Sequence, residues 1–312
     1  MTSLTHDASL ILRIVSDGDR ERLARIALAM IPANADEPMP SPEGGEAESR
    51  LRVLLTHDPH CLDAGRFRAV LNATAEQGLD VLIPGDDGWP ISSVDTRGEL
   101  WPPGLSDLRA NQPVALWARG DITLLTRPMA IRVVLTGSRA ASHYGERVAS
   151  DITHDLAKSG YILTTGGQFG IDAAAHRAAA SLDAPSIAVL PAGLDRLHPT
   201  AHGQLFDSVI DTGGLLLTEA APGTPATRAA ILRRGRIMAA LARTTVIVEA
   251  AERSATLPIA QQAIALWRVV GAVPGPVTSA TSAGCHQLLK DGDTHLITNA
   301  NDIIDLIDRP KS

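Results

Sequence analysis

The stretch IRVVLTGSRAASHYG, residues 131–145, decides the fold of this chain. It begins with five residues of which four are apolar and one is an arginine, as in a strand that is buried on both faces. The segment TGSR, residues 136–139, ends this run, and a helical pattern follows from about residue 145 to 159. A strand, a glycine turn and a helix N-terminus can hold a phosphate, because the first N–H groups of a helix lack partners and its dipole favours an anion. An ordinary βα turn with a surface arginine explains the same residues equally well.

Outward from this stretch, apolar runs alternate with helical patterns up to the C-terminus. The predicted strands are residues 131–135, 161–164, 186–190, 215–218, 245–248, 269–273 and, more weakly, 295–298. The predicted helices are residues 146–159, 172–180, 202–210, 228–242, 257–267, 286–290 and 301–308. This alternation predicts an α/β fold with a doubly wound, mostly parallel sheet. Ligands bind such sheets beyond the carboxyl ends of the strands, where we expect several glycine-rich turns to lie together.

The N-terminal quarter has a different pattern. Residues 9–31 and 51–78 are periodic helical segments, and they predict a small α-helical domain over residues 1–78. Between them, residues 33–50 are rich in Pro, Glu, Gly and Ser, which predicts a disordered loop. The larger domain is predicted over residues 82–309, and short strands at 81–83 and 114–118 lead into it.

Composition excludes several classes of protein. Apolar residues make up 45% of the chain and charged residues 20%, so the chain can bury a sizeable core. The net charge of −7 excludes a uniformly basic surface, and the 3% of aromatic residues leaves few rings for stacking on bases. The two cysteines, Cys61 and Cys285, match no metal or redox spacing. No secretory signal or membrane-length apolar run is evident, so we expect a soluble, cytoplasmic protein with no membrane partner.

Five arginines concentrate in one segment of this acidic chain. Residues 220–248 contain no acidic residue, and their arginines are Arg228, Arg233, Arg234, Arg236 and Arg243. A solvated helix face normally mixes charges, so the single sign favours a surface that binds a polyanion. Glu219 and Glu249 flank the segment at predicted strand ends. They could bind Mg²⁺ or form a hydrolytic pair, but ion pairs with the arginines are the favoured interpretation.

A second glycine loop, TTGGQFGID at residues 164–172, also enters a helix. Asp172 and His176 lie one helical turn apart; without a nucleophile nearby, a structural role is favoured over acid–base catalysis. His198 and His202 have the spacing of two metal ligands on a helix, but Pro199 lies between them and no third ligand is evident. We therefore predict no catalytic residue, no metal site and no cofactor.

Taken together, the motifs resemble the DNA-processing protein A (DprA/Smf) family over nearly the whole chain. The matching segments, in order, are Gly137-Ser138-Arg139 with Tyr144-Gly145, Gly170-Ile171-Asp172 through His176, Gly193-Leu194-Asp195 with Pro199, Thr218-Glu219, Pro222-Gly223, Arg234-Gly235-Arg236-Ile237, Val248-Glu249-Ala250, Val273-Pro274-Gly275 and Gly284-Cys285. The resemblance implies an extended Rossmann-like fold and an N-terminal domain similar to a sterile-alpha-motif or helix-hairpin-helix unit. It also implies a non-catalytic homodimer that binds single-stranded DNA and loads the RecA recombinase, with a role in natural transformation.

The resemblance also implies the positions of the DNA site. These positions are Gly137, Ser138, Arg139, Gly166, Gly167, Gln168, Arg228, Arg234, Arg236, Pro274 and Gly275. Two departures stand inside the arginine segment. The usual Phe-Pro of the family is Ile231-Leu232 here, and the usual Arg-Asn-Arg has Gly235 at its centre. Because a ring is lost at Ile231, we expect phosphate contacts to contribute more than base stacking.

Two alternatives to DNA binding come from other classes of protein. One is a phosphoribohydrolase that cleaves nucleoside monophosphates on a related fold. Its Pro-Gly-Gly-x-Gly-Thr loop is missing, since the corresponding residues 251–256 read AERSAT. The other alternative is a nucleotide-sensing module without catalysis, which the glycine loops permit.

Overall fold

The structure is a computed structural model that describes residues 5–31, 46–90 and 104–308. In these ranges, nine strands form one sheet. They are β1 (Asp80–Leu82), β2 (Leu116–Gly120), β3 (Arg132–Thr136), β4 (Ile162–Thr165), β5 (Ser186–Val189), β6 (Leu215–Thr218), β7 (Thr244–Ile247), β8 (Val269–Ala272) and β9 (His295–Leu296). Their spatial order is β1-β2-β6-β5-β4-β3-β7-β8-β9. Two of the pairs in this sheet are antiparallel, namely β1 with β2 and β2 with β6. The predicted α/β fold with a doubly wound, mostly parallel sheet is confirmed.

The order of strands reverses beside β3. From β3 the chain moves outward through β4, β5 and β6 on one side, and then returns to β7, β8 and β9 on the other. The topological switch point therefore lies between β3 and β7, where open α/β sheets form a crevice beyond their carboxyl ends.

Helices cover both faces of the sheet. They are α1 (His6–Ser16), α2 (Arg20–Met30), α3 (Glu46–His57), α4 (Ala64–Glu76), α5 (His143–Lys158), α6 (Ile171–Ala180), α7 (Gly203–Asp211), α8 (Arg228–Arg233), α9 (Gly235–Leu241), α10 (Leu257–Ala265), α11 (Ala283–Asp291) and α12 (Ala300–Asp308). Val133 and Leu135 of β3 pack with α5, α6 and α12, whereas Val134 faces the opposite cluster with α9. A strand buried on both faces has no reason to alternate polar and apolar residues, which explains its continuous apolar run. None of the described helices is long and apolar enough to cross a bilayer.

The N-terminal helices pack onto the sheet itself. Residues of α1 to α4 share one buried cluster with Trp117 of β2, Phe206 of α7 and Leu216 of β6. The Trp117 indole N–H also donates to Thr74 Oγ1 at 3.2 Å, and Arg22 pairs with Asp86 at 2.8 Å. The division of the chain into two domains at residues 78–82 stays a prediction.

Helix α3 corrects one boundary. The disordered loop predicted over residues 33–50 is wrong for residues 46–50, which form the start of α3, and residues 33–45 lie outside the described ranges. Glu46 and Glu48 lie in the first turn, where the helix dipole stabilises carboxylates. Ala47 and Leu51 are buried, and this packing orders the turn.

The structure also interrupts the predicted helix at residues 228–242. α8 ends at Arg233 and α9 begins at Gly235, with Arg234 at the junction. A Cβ atom at Gly235 would lie 2.9 Å from Ile259 Cγ1, so the glycine allows this turn to pack closely against α10. At this junction the Arg234 side chain is buried. It contacts the ends of two strands, as described below.

Candidate functional site

The carboxyl ends of six strands form one edge of the sheet. In spatial order they belong to β6, β5, β4, β3, β7 and β8. Neighbouring strands are about 4.8 Å apart, so five intervals separate the β6 end from the β8 end by roughly 24 Å. Arg228 follows β6, whereas Pro274 and Gly275 follow β8. The predicted site residues therefore line a track, and those at its two ends cannot contact the same phosphate.

The loops after β3 and β4 contact each other at the centre of this edge. The Ile171 N–H donates to the Ser138 carbonyl at 3.2 Å, and the Ser138 N–H donates to the Glu249 carbonyl at 2.7 Å. Gly170 has a φ of 69°, and a Cβ atom there would overlap the carbonyls of Ser138 and Arg139. The loop that contains Gly137, Ser138 and Arg139 is thus held between two neighbours, and the Arg139 side chain is exposed.

A carboxylate of the protein itself occupies the helix N-terminus at the switch point. The Ser142 backbone N–H donates to Glu249 Oε2 at 2.8 Å, and the Ser142 and Thr281 hydroxyls donate to Oε1 at 2.6 and 3.1 Å. Gly145 lies beneath, and a Cβ atom there would overlap the carboxylate. The predicted ion pair of Glu249 with an arginine is wrong, because the N-terminus of α5 attracts this carboxylate as it would attract a phosphate.

Arg234 is buried, with only 5% of its surface exposed. Its Nη1 group contacts the Gly166 carbonyl and donates to the Val189 carbonyl at 2.7 Å, and Nη2 lies 4.0 Å from Asp172 Oδ2. Burial lowers the pKa of Arg234 to about 10, although the charge of Asp172 opposes this shift. Arg234 therefore holds the ends of β4 and β5 together.

Asp172 organises the second glycine loop from below. The Thr136 hydroxyl donates to Oδ1 at 2.7 Å, and the backbone N–H of Gln168 donates to Oδ2 at 3.1 Å. His176 contacts a different partner, with Nδ1 2.9 Å from Ser186 Oγ. Burial, with a smaller effect of the His202 charge, lowers the pKa of His176 to about 3. Both side chains are thus hydrogen-bonded inside the protein, and the preference for a structural role over acid–base catalysis stays a prediction.

Glu219 and two arginines form an ion-pair cluster after β6. The Arg236 guanidinium donates to both carboxylate oxygens of Glu219 at 2.8 and 2.6 Å, and Arg233 Nε donates to Oε1 at 2.9 Å. Burial alone would raise the pKa of Glu219, but Arg236 and Arg233 hold it below its ordinary value. The predicted ion-pair role of Glu219 is confirmed.

The arginine segment is therefore not an open basic surface. Arg234 and Arg243 are buried, and Arg236 is largely covered and bonded to Glu219. Only Arg228 and Arg233 of the five are exposed. The single sign of the segment was misleading about its surface, because the sequence does not reveal which arginines a carboxylate or carbonyl already holds.

The turn at Pro274 and Gly275 is held from two sides. The Tyr144 hydroxyl donates to the Pro274 carbonyl at 2.7 Å, and His286 Nε2 lies 3.0 Å from the Gly275 carbonyl. A Cβ atom at Gly275 would overlap the Ser282 hydroxyl, so glycine is needed for this close approach.

The sequence analysis gave neither Phe169 nor His198 a role in the DNA site. Phe169 stands exposed in the second glycine loop and packs on His202. Burial lowers the pKa of His198, and the charges of Arg234 and Arg139 lower it further. His198 therefore lies within electrostatic reach of the Arg234 and Arg139 guanidinium groups. An aromatic residue between glycines at a helix entry was the signal that could have identified Phe169.

Comparison with known proteins identifies the family of this chain. The family model described as DNA recombination-mediator protein A matches residues 93–308. The chain belongs to this family. It is 41% identical over 244 residues to a putative DNA processing protein DprA of Mycobacterium tuberculosis, covering 76% of this chain and 60% of that protein. It is 34% identical over 206 residues to DNA processing protein DprA of Streptococcus pneumoniae, covering 66% of this chain and 71% of that protein.

Solved structures of DprA proteins share the fold. The structure of Streptococcus pneumoniae DprA has a TM-score of 0.67 and 26% identity, and the match covers 97% of this chain and 94% of that one. A Helicobacter pylori structure, described for the single-stranded DNA binding mode of its DNA processing protein A, has a TM-score of 0.59. That match has 23% identity over 73% of this chain and 95% of the other, so it shows the fold alone. The resemblance to the DprA/Smf family is confirmed.

Proposed function

We propose that this protein binds single-stranded DNA along the edge formed by the carboxyl ends of its strands (the carboxyl edge). We propose further that it catalyses no reaction on that DNA. The observation that carries the proposal is the exposed Arg139 on the loop after β3, beside the second glycine loop and within electrostatic reach of Arg234 and His198. A phosphate at Arg139 would be attracted by this guanidinium and by that of Arg234 nearby. In a chain of net charge −7, such a local site is the form that nucleic-acid binding must take.

The engaged carboxylates support binding over hydrolysis. Glu249 accepts hydrogen bonds from Ser142 and Thr281, and Asp172 accepts them from Thr136 and Gln168. Both carboxylates therefore hold loops of the sheet edge together. The sequence also lacks the Pro-Gly-Gly-x-Gly-Thr loop of the phosphoribohydrolases.

Incubation with nucleoside monophosphates tests this part of the proposal. We expect no free base by chromatography. Release of base that Glu249→Gln abolishes would support the phosphoribohydrolase instead.

Salt titration of DNA binding tests the site itself. Each phosphate neutralised on a single strand contributes roughly 0.7 to the slope of log K against log salt. Arg139→Ala should therefore weaken binding of a labelled oligothymidylate and flatten the slope by about that amount. Arg13→Ala, which removes an exposed arginine from α1, is the matched control and should change neither quantity. Unchanged affinity and slope in Arg139→Ala would move the site elsewhere.

The family extends the proposal to partners. DNA processing proteins of this family suggest a cytoplasmic homodimer that loads RecA onto single-stranded DNA during recombination and natural transformation. The chain spans about 60% of the length of its Mycobacterium tuberculosis relative. The roles of the whole protein are therefore part of the proposal. Sedimentation that detects only monomer at micromolar concentration, with and without DNA, would contradict the dimer. RecA filament assembly that this protein does not accelerate would contradict the loading role.

A further inference from the structure

An exposed aromatic ring stands at the centre of the carboxyl edge. Phe169 is 47% exposed, in a chain that contains only three phenylalanines. It lies in the loop between β4 and α6, flanked by Gly167 and Gly170, which both have a φ of 69°. Two glycines with positive φ in four residues set the course of this loop. Of the two residues between them, Gln168 is buried and Phe169 is exposed.

The ring is held in place from beneath. Its centroid lies 4.3 Å from that of the His202 ring, with an angle of 62° between the planes. His202 is buried, and its Nδ1 atom lies 2.9 Å from the Gly167 carbonyl oxygen. Phe206 supports His202 from the other side, with ring centroids 6.1 Å apart. An edge-on contact of this kind fixes the orientation of Phe169 while about half of its surface stays open.

The loop that carries the open ring touches the loop that carries the exposed arginine. The Ile171 N–H, two residues after Phe169, bonds to the Ser138 carbonyl at 3.2 Å. Gly170, next to the ring, approaches the Arg139 carbonyl so closely that a Cβ atom there would overlap it. An apolar face and a cation on two touching loops match the two parts of a nucleotide, its base and its phosphate.

We infer that Phe169 is a stacking platform for one unpaired base of the DNA strand, with Arg139 holding a neighbouring phosphate. The inference rests on the proposed function and names how that site selects its ligand. A base in a duplex has both faces covered by its neighbours, so a single ring can stack only on an unpaired or end base. The platform therefore favours single strands without regard to sequence. It also provides a ring in place of the phenylalanine that Ile231 replaces.

The platform is tested by separating bases from phosphates. Binding of a twelve-nucleotide oligothymidylate is compared with that of an abasic strand of equal length, which carries the same phosphates. Phe169→Ala should weaken binding of the thymidylate by roughly 5- to 150-fold for the one base stacked. It should leave the affinity for the abasic strand and the salt slope unchanged. Phe169→Trp should restore the thymidylate affinity, since tryptophan offers a larger ring.

Two further variants keep the test decisive. Phe169→Leu retains an apolar side chain on His202 but lacks a ring, so it should lose affinity as the alanine variant does while preserving the melting temperature. Trp267→Gly removes a ring that is 84% exposed just before β8, at the opposite edge of the sheet. Its φ of 58° is one that glycine adopts without strain. This control should bind both strands as the wild type does.

Loss of the stacking platform and absence of DNA binding give different results in these assays. If Phe169→Ala and Phe169→Leu bind the thymidylate as tightly as the wild type, while Arg139→Ala weakens both strands, the platform is refuted and the DNA site stands. If the wild type binds neither strand, the proposed function and the platform are both refuted.

Discussion

Replacing Arg236 by alanine tests whether this arginine binds phosphate or only stabilises the protein. The resemblance to the family implies that Arg236 contacts a phosphate. Its removal should then reduce the slope of log K against log salt for DNA binding. In the structure, its guanidinium donates to Glu219 at 2.8 and 2.6 Å, to the Asn111 carbonyl at 2.6 Å and to the Arg233 carbonyl at 2.9 Å. A charge already neutralised in this way has little to offer a phosphate. We therefore expect Arg236→Ala to reduce stability and to leave the salt slope unchanged.

The size of the effect follows from the burial of the pair. The side chains of Arg236 and Glu219 are 12% and 13% exposed. Removal of one partner from a buried ion pair costs about 3–5 kcal/mol, because the other charge is left uncompensated. Here Arg233 Nε stays 2.9 Å from Glu219 and both side chains reach some solvent, so we expect about 2–3 kcal/mol.

Urea unfolding measures this cost. With a slope of about 2–3 kcal/mol per molar urea, the midpoint should fall by about 1 M. The double variant Glu219→Gln with Arg236→Ala should lose less than the sum of the single losses, since both act on the same pair. Arg139→Ala should show the reverse behaviour, with an unchanged midpoint and a salt slope flattened by about 0.7. A flattened slope together with an unchanged midpoint in Arg236→Ala would refute the reasoning.

Two further expectations concern other parts of the edge. Gly145→Ala should destabilise the protein by about 1–3 kcal/mol in urea unfolding, because the added methyl group displaces the Glu249 carboxylate. Gly203→Ala, at the start of α7 with open space around it, should be neutral or slightly stabilising; equal losses in the two variants would contradict the contact with Glu249. For His198, burial and neighbouring cations hold the pKa below its ordinary value of 6.5 in the free protein, and a bound phosphate should raise it. Binding then takes up a proton, so DNA affinity should rise as pH falls from 8 towards 5 at constant salt. His198→Asn should reduce this rise, and an equal pH dependence in both proteins would exclude His198 as the group responsible.

Much of the architecture could be predicted from the sequence. The seven strands predicted from residue 131 onward are all present with bounds that differ by at most two residues, and the predicted segment 215–218 coincides with β6. Strands that are buried on both faces and helices with one apolar face are local patterns, which neighbouring residues alone determine. The motifs around Gly137, Asp172 and Gly275 were also enough to indicate the family.

What the sequence could not supply is the partner of each charge. Arg139 and Arg234 are the same residue type beside glycine loops, yet one is exposed and the other is buried against the Gly166 carbonyl, 68 residues away. Glu249 reaches the helix N-terminus through Ser142, which lies 107 residues away. Such pairings depend on the order of strands in the sheet, and this order brings together segments that have no local relationship. Composition and periodicity therefore determined the elements of this protein. Only the tertiary structure decided which arginines and carboxylates are already satisfied, because that depends on burial and on contacts between distant residues.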